Sequence, residues 1–184
     1  MSVVPDYAAP LIGWRTWAAV EEGGGLTLRS VVYESRWPPR ERLVAVCGRR
    51  PHWRLLARWR RVQPHEAPDE RCECGIYAAC APDLALSFLF RLGLIRGVRS
   101  ALIGRVALWG RVIECERGWR ATFAYPTQLY VLRAPASRRQ RPDAPALARD
   151  LAVYGVPVQV VEACTMEALV GDLAGEGGAL LGAA

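Results

Sequence analysis

Residues 100–132, SALIGRVALWGRVIECERGWRATFAYPTQLYVL, decide the fold. The first half alternates around Val106, Leu108 and, after Gly110, Val112, and the second half returns from Trp119 to Leu132 with aromatic and branched residues. Period-two alternation marks strands rather than helix. Arg117-Gly118 supplies the turn between them, so the segment reads as two long antiparallel strands. Gly104 and Gly110 predict a bulged, coiled sheet of the kind that bends at the corners of a small barrel. Pro126 has no N–H to give to a ladder and marks a kink or an edge.

Working toward the N-terminus, Leu11–Glu21 and Leu26–Ser35 form a second hairpin around Glu22-Gly23-Gly24-Gly25, whose glycines accept the positive φ of a tight turn. Trp37-Pro38-Pro39 ends that sheet, and Leu43–Cys47 is a short strand with a cysteine at its end. His52–Val62 has helical spacing, with Trp53, Leu56 and Trp59 on one face and Arg54, Arg58 and Arg61 on another. Cys74–Ala79 reads as a strand, and a helix is expected from Pro82 to Leu94 with Asp83 as its N-cap. Toward the C-terminus, 134–145 is a basic, proline-punctuated linker carrying Arg138, Arg139 and Arg141. A helix over Ala146–Tyr154, a strand over Val156–Ala163 and a helix over Thr165–Ala174 follow. The expected class is therefore α+β. A mostly antiparallel, barrel-like β body (1–133) carries one or two helices, a small α-β-α extension occupies 146–175, and 176–184 is a flexible tail.

The 184-residue chain holds 24 basic and 18 acidic residues, and every basic residue is arginine. The absence of lysine excludes Schiff-base chemistry, a P-loop lysine and a kinase-type catalytic lysine. With 52% hydrophobic residues the chain can bury a core. No apolar run reaches the ~18 residues of a membrane span, and Met1–Pro10 lacks a secretory pattern, so a cytoplasmic protein away from membranes is expected. The charge is uneven. Arg49, Arg50, Arg54, Arg58, Arg60 and Arg61 lie in an acid-free stretch, 48–65, which alone accounts for the net charge of +6.

Six cysteines without a secretory signal point toward metal or redox use rather than disulfides. Cys47, His65, Cys72 and Cys74 offer three thiolates and one imidazole, a complete tetrahedral set for a structural zinc. His52 or Cys80 are alternative ligands, and an iron–sulfur cluster on Cys47, Cys72, Cys74 and Cys80 is the competing metal centre. Cys115 and Cys164 sit in apolar strand patterns and read as core thiols. A four-ligand site has no open position for water, so such a zinc would fold the chain rather than catalyse.

The blocks GWRTW (13–17), WPP (37–39), HEAP (65–68), CECGIYA (72–78), GRVALWGRVIE (104–114) and GWRATFAYP (118–126), with Cys47, resemble a family of small uncharacterised bacterial proteins. The likeness covers residues 11–133 and implies that Cys47, His65, Cys72 and Cys74 form one site, with 48–62 as an enlarged loop. It implies no activity.

Enzyme signatures are absent: there is no G-x-S-x-G, H-E-x-x-H or G-x-G-x-x-G, and Glu114 and Glu116 read as a solvated strand edge. The leading reading is a non-enzymatic binding module in which the arginine-rich 48–62 insert, held by zinc, contacts nucleic acid. Trp14, Trp17, Trp109 and Trp119, together with Tyr125 and Tyr130, read either as core residues of the strands or as an aromatic stacking platform. The alternative is a protein–protein adaptor that docks through Trp53, Leu56 and Trp59 or contacts an acidic protein surface.

Overall fold

The structure, a computed structural model, describes residues 9–32, 35–47, 65–89, 95, 97–133, 143–162 and 170–171. The elements in chain order are β1 (Leu11–Glu22), β2 (Gly25–Ser30), β3 (Arg36–Trp37), β4 (Leu43–Val44), β5 (Ile76–Ala79), α1 (Pro82–Leu86), β6 (Val98–Cys115), β7 (Gly118–Arg133), α2 (Ala144–Leu151), a 3-10 turn (Ala152–Tyr154) and β8 (Val158–Glu162). This is an α+β fold, mostly sheet, with two short helices among the described residues.

The β6–β7 hairpin is its axis, pairing from Cys115↔Gly118 out to Leu102↔Val131. Two shifts of register bend it. At one, Gly110 and Arg111 face a single partner, Thr122, and Gly110 takes φ +78° in the left-handed region. A side chain there would also meet Phe123 at 2.8 Å, so glycine is required twice over. The other shift falls beside Pro126, which lacks the N–H an unbroken ladder needs.

β1 pairs along β6 on one side and with β2 on the other. β5 pairs with β7 and touches β1 at Trp14↔Ala79, so β1, β6, β7 and β5 close into a ring-like sheet. All these pairs are antiparallel, whereas β8 joins the free stretch of β7 in parallel register, Leu129↔Val158 to Arg133↔Glu162.

The central strands are buried on both faces, and neighbouring residues feed separate clusters. Trp17, Leu102, Leu129 and Val131 belong to the larger core, while Trp14, Ile103 and Tyr130 pack with Ala85 and Leu86 of α1. Trp17 meets Trp37 edge-on at 5.4 Å, the arrangement that ring quadrupoles favour. The C-terminal segment shares this larger core. Leu147 and Leu151 of α2 are buried in it, and the Tyr154 hydroxyl donates to the Trp37 carbonyl and accepts from the Leu28 amide, both at 2.8 Å. Burial pushes the Tyr154 phenol above its ordinary value, against the opposing effect of the Leu28 amide bond.

Several boundaries differ from expectation. α1 starts at Pro82 behind Ala81 as N-cap, because proline is already shaped for the first helical turn and has no N–H to leave unpaired. Asp83 therefore sits inside the first turn instead of capping it, and the described helix ends at Leu86 rather than Leu94. α2 begins two residues before the expected 146, with its proline in the first turn. The expected helix at 52–62, residues 134–142 of the expected linker, most of the 165–174 helix and the 176–184 tail lie outside the described residues. No helix among the described residues is long and apolar enough to cross a membrane.

Candidate metal centre

The ligand residues come from two places in the chain, just past the end of β4 and the segment before β5. β4 pairs Leu43 and Val44 with Ala124 and Phe123 of β7, and the Ala45 amide extends the ladder to the Thr122 carbonyl at 2.7 Å. Cys47 follows two residues later. His65, Cys72 and Cys74 lie on a segment, 65–75, that contains no helix or strand. A turn closed by the Cys72 amide on the Asp69 carbonyl, 3.0 Å, aligns the two cysteines. Gly75 then takes φ +129°, and a Cβ there would press on Arg120 and Pro68 at 3.1 Å, so the chain can leave the cluster and enter β5 only through glycine.

The ligand atoms of Cys47, His65, Cys72 and Cys74 all lie within 4.8 Å of one another. The Cys47 and Cys72 sulfurs are 3.8 Å apart, and Cys74 Sγ is 3.4 Å from His65 Nε2. A disulfide requires about 2.05 Å, so the sulfurs are not bonded. The edges of a tetrahedron built on metal–sulfur bonds of about 2.3 Å are about 3.8 Å, and the sulfur–nitrogen edge is slightly shorter. The Cys47–Cys72 and Cys74–His65 separations are close to those edges. The cluster can bind a metal ion through four ligands, and no other such group occurs among the described residues.

Thiol acidity shows how the donors interact without a cation. Burial opposes the Cys72 thiolate, but hydrogen bonds from the Cys74 backbone and from Cys74, Cys47 and His65 outweigh it and draw the thiol below its ordinary value. Cys74 moves the other way, raised first by burial and then by the neighbouring Cys72 and Cys47. One thiolate thus forms readily and makes the next harder to form. A dication removes that conflict, because it stabilises all the thiolates together.

Arg120 is the site residue that sequence reasoning missed. It projects from β7, only 7% exposed, and its Nη1 donates to the carbonyls of Asp69 and Cys74, each at 3.0 Å, and to that of Cys72. One guanidinium thereby holds three carbonyls of the ligand segment. Three thiolates around a dication carry a net negative charge, and Arg120 supplies the opposite charge beside it. The only sequence signal was an arginine on a strand flanked by the apolar residues Trp119 and Ala121.

The remaining site residues are scattered. Cys80 is exposed beyond the far end of β5, about 20 Å of extended chain from Cys74, so the iron–sulfur set with Cys80 does not assemble. The nearby fourth ligand is His65. Trp17 is fully buried and has no ring face to offer, because β1 is covered on both sides. Trp14 is 9% exposed and stacks on Tyr130 at 6.1 Å, while Trp109 packs against Phe123 at 6.0 Å. Trp119 is partly exposed. Trp14 and Trp119 line one pocket but Trp17 and Trp109 do not, so the four tryptophans form no common platform. Glu114 and Glu116 are both exposed, and Cys115 is half-buried. Arg49, Arg50, Arg54, Arg58, Arg60, Arg61, the Trp53/Leu56/Trp59 face, His52 and Cys164 lie outside the described residues. No family model, curated protein or solved structure matches the chain, and its functional reading rests on the site itself.

Proposed function

We propose that the chain is a non-enzymatic binding module, a small barrel-like body with a structural zinc at Cys47, His65, Cys72 and Cys74, which presents the arginine-rich insert 48–62 to nucleic acid. One observation carries the reading. Cys47 and His65 flank the insert in sequence and have ligand atoms in the same cluster. A metal ion on that cluster closes the base of the insert and reduces the entropy lost when its arginines engage a partner.

Zinc suits the donor set because three thiolates and one imidazole in a tetrahedron are its preferred surroundings, and with four protein ligands it has no site for water. Six arginines without an acid among them favour phosphates, which the planar guanidinium contacts in bidentate fashion. The test is binding of a labelled 20-bp duplex to the zinc-loaded chain between 50 and 300 mM salt. If about five arginines displace counterions, log K falls against log salt with a slope of about −4 to −5. A flat slope, or no binding at low salt, refutes the nucleic-acid reading; capture of one stoichiometric protein instead selects the adaptor.

A further inference from the structure

A separate pocket of about 300 Å³ opens between β1, β5, α1 and the turn joining β6 to β7. Trp14, Tyr77, Phe88 and Trp119 give it aromatic walls, Arg15 and Arg117 lie among its lining residues, and none of the described lining residues is acidic. Val32, Tyr77 and Phe88, three of the large apolar side chains left exposed, all border this one cavity. Exposed apolar surface gathered around a concavity is the usual mark of a ligand site.

The two arginines make the cavity selective. Arg15 is held in place: Nη1 donates to the Tyr77 carbonyl, Nη2 donates to Ser30 Oγ at 2.9 Å, and its guanidinium lies 5.1 Å from the centre of the Trp37 ring. Neither Arg15 nor Arg117 forms an ion pair with a described residue, although other arginines of the chain do. Burial lowers the Arg15 guanidinium to about 10, so it is still cationic at neutral pH. Two cations that no described acidic residue pairs with, in a largely apolar cavity, complement an anion, and the aromatic walls complement a flat ring.

We propose that this pocket binds a small aromatic anion, a planar ring system bearing a carboxylate or phosphate. Its volume is at the lower end of ligand pockets, about 300–1,000 Å³, and suits one or two fused rings. None of the four cluster residues lines the pocket, and the proposal stands whether or not the chain binds nucleic acid.

The experiment is isothermal titration calorimetry of the full chain with 2-naphthoate, its neutral analogue 2-naphthamide, and AMP. The acid saturates a single site, and the amide binds about tenfold more weakly. Arg117→Gln weakens 2-naphthoate about fivefold and leaves 2-naphthamide unchanged, because the exposed Arg117 side chain contributes charge alone. Val32→Phe narrows the mouth of the cavity and weakens both. AMP binding tighter than 2-naphthoate identifies nucleotides as the source of the anion, and the reverse order identifies carboxylates. Equal binding of acid and amide, no binding of either, or unchanged 2-naphthoate affinity in Val32→Phe overturns the proposal.

Discussion

From Cys115↔Gly118 to Leu102↔Val131, the β6–β7 hairpin is held by its own ladder and by side chains buried on both faces. Residues 65–75, a few ångströms away across Arg120, have no helix or strand. Within the segment the described backbone bonds reduce to the one turn from Asp69 to Cys72. What shapes that segment, besides the buried Ala67 and Pro68 and the Tyr77 hydroxyl on the Glu73 carbonyl, is the cluster of side chains that could hold a metal and one guanidinium. The contrast teaches that the two regions depend on different variables. The hairpin depends on apolar burial, and the ligand segment depends on the chemical state of its side chains.

The largest effect that separates them is metal removal. A chelator, or Cys72→Ala, should take the zinc from one per chain to none and collapse amide protection over 65–75, while the paired amides of β6 and β7 keep theirs. Simultaneous loss in both regions, followed by hydrogen exchange, would erase the distinction. The converse break is Trp17→Ala in the fully buried core. It should cost about 3–5 kcal/mol of global stability in denaturant unfolding yet leave the folded fraction with its metal.

Arg120→Gln joins the regions and should weaken metal affinity on the order of 10- to 100-fold in competition with a chelating dye. It does so by releasing three carbonyls, with the ligands themselves intact. Tyr154→Phe leaves the Leu28 amide without its buried acceptor and should cost about 1–3 kcal/mol, with metal content unchanged. The same residue sets a pH response. Its phenol is raised in the folded chain, so its contribution is complete below the unfolded value of about 10 and fades as pH climbs through the higher folded value. Alkaline unfolding curves of the wild type should carry that loss, and those of Tyr154→Phe should not. Smallest of all, Arg99→Gln removes an exposed ion pair with Glu21, 3.0 Å long, and should shift stability by less than about 1 kcal/mol.

Much of this was legible in the sequence because it is local. The period-two runs around Val106 and Tyr130, the glycine turn at 23–25 and the spacing of Cys72 and Cys74 are short-range patterns. What was missed is long-range. Alternation does not reveal that a strand is covered on both faces, so it leaves Trp17 open as core or platform, and the structure encloses it. Nor does it reveal the single Trp14↔Ala79 contact that closes the ring, or the parallel docking of β8, whose partner lies about 30 residues earlier in the chain. Arg120 looked like any strand arginine because its three acceptors lie 46 to 51 residues away.

X-ray absorption at the zinc edge of the purified chain reads the metal's neighbours without any substitution. One zinc per chain is expected, with three sulfur neighbours at about 2.3 Å and one nitrogen at about 2.0–2.1 Å. A shell of four sulfurs, a shell of oxygen and nitrogen alone, or a chain that holds no zinc would contradict that expectation.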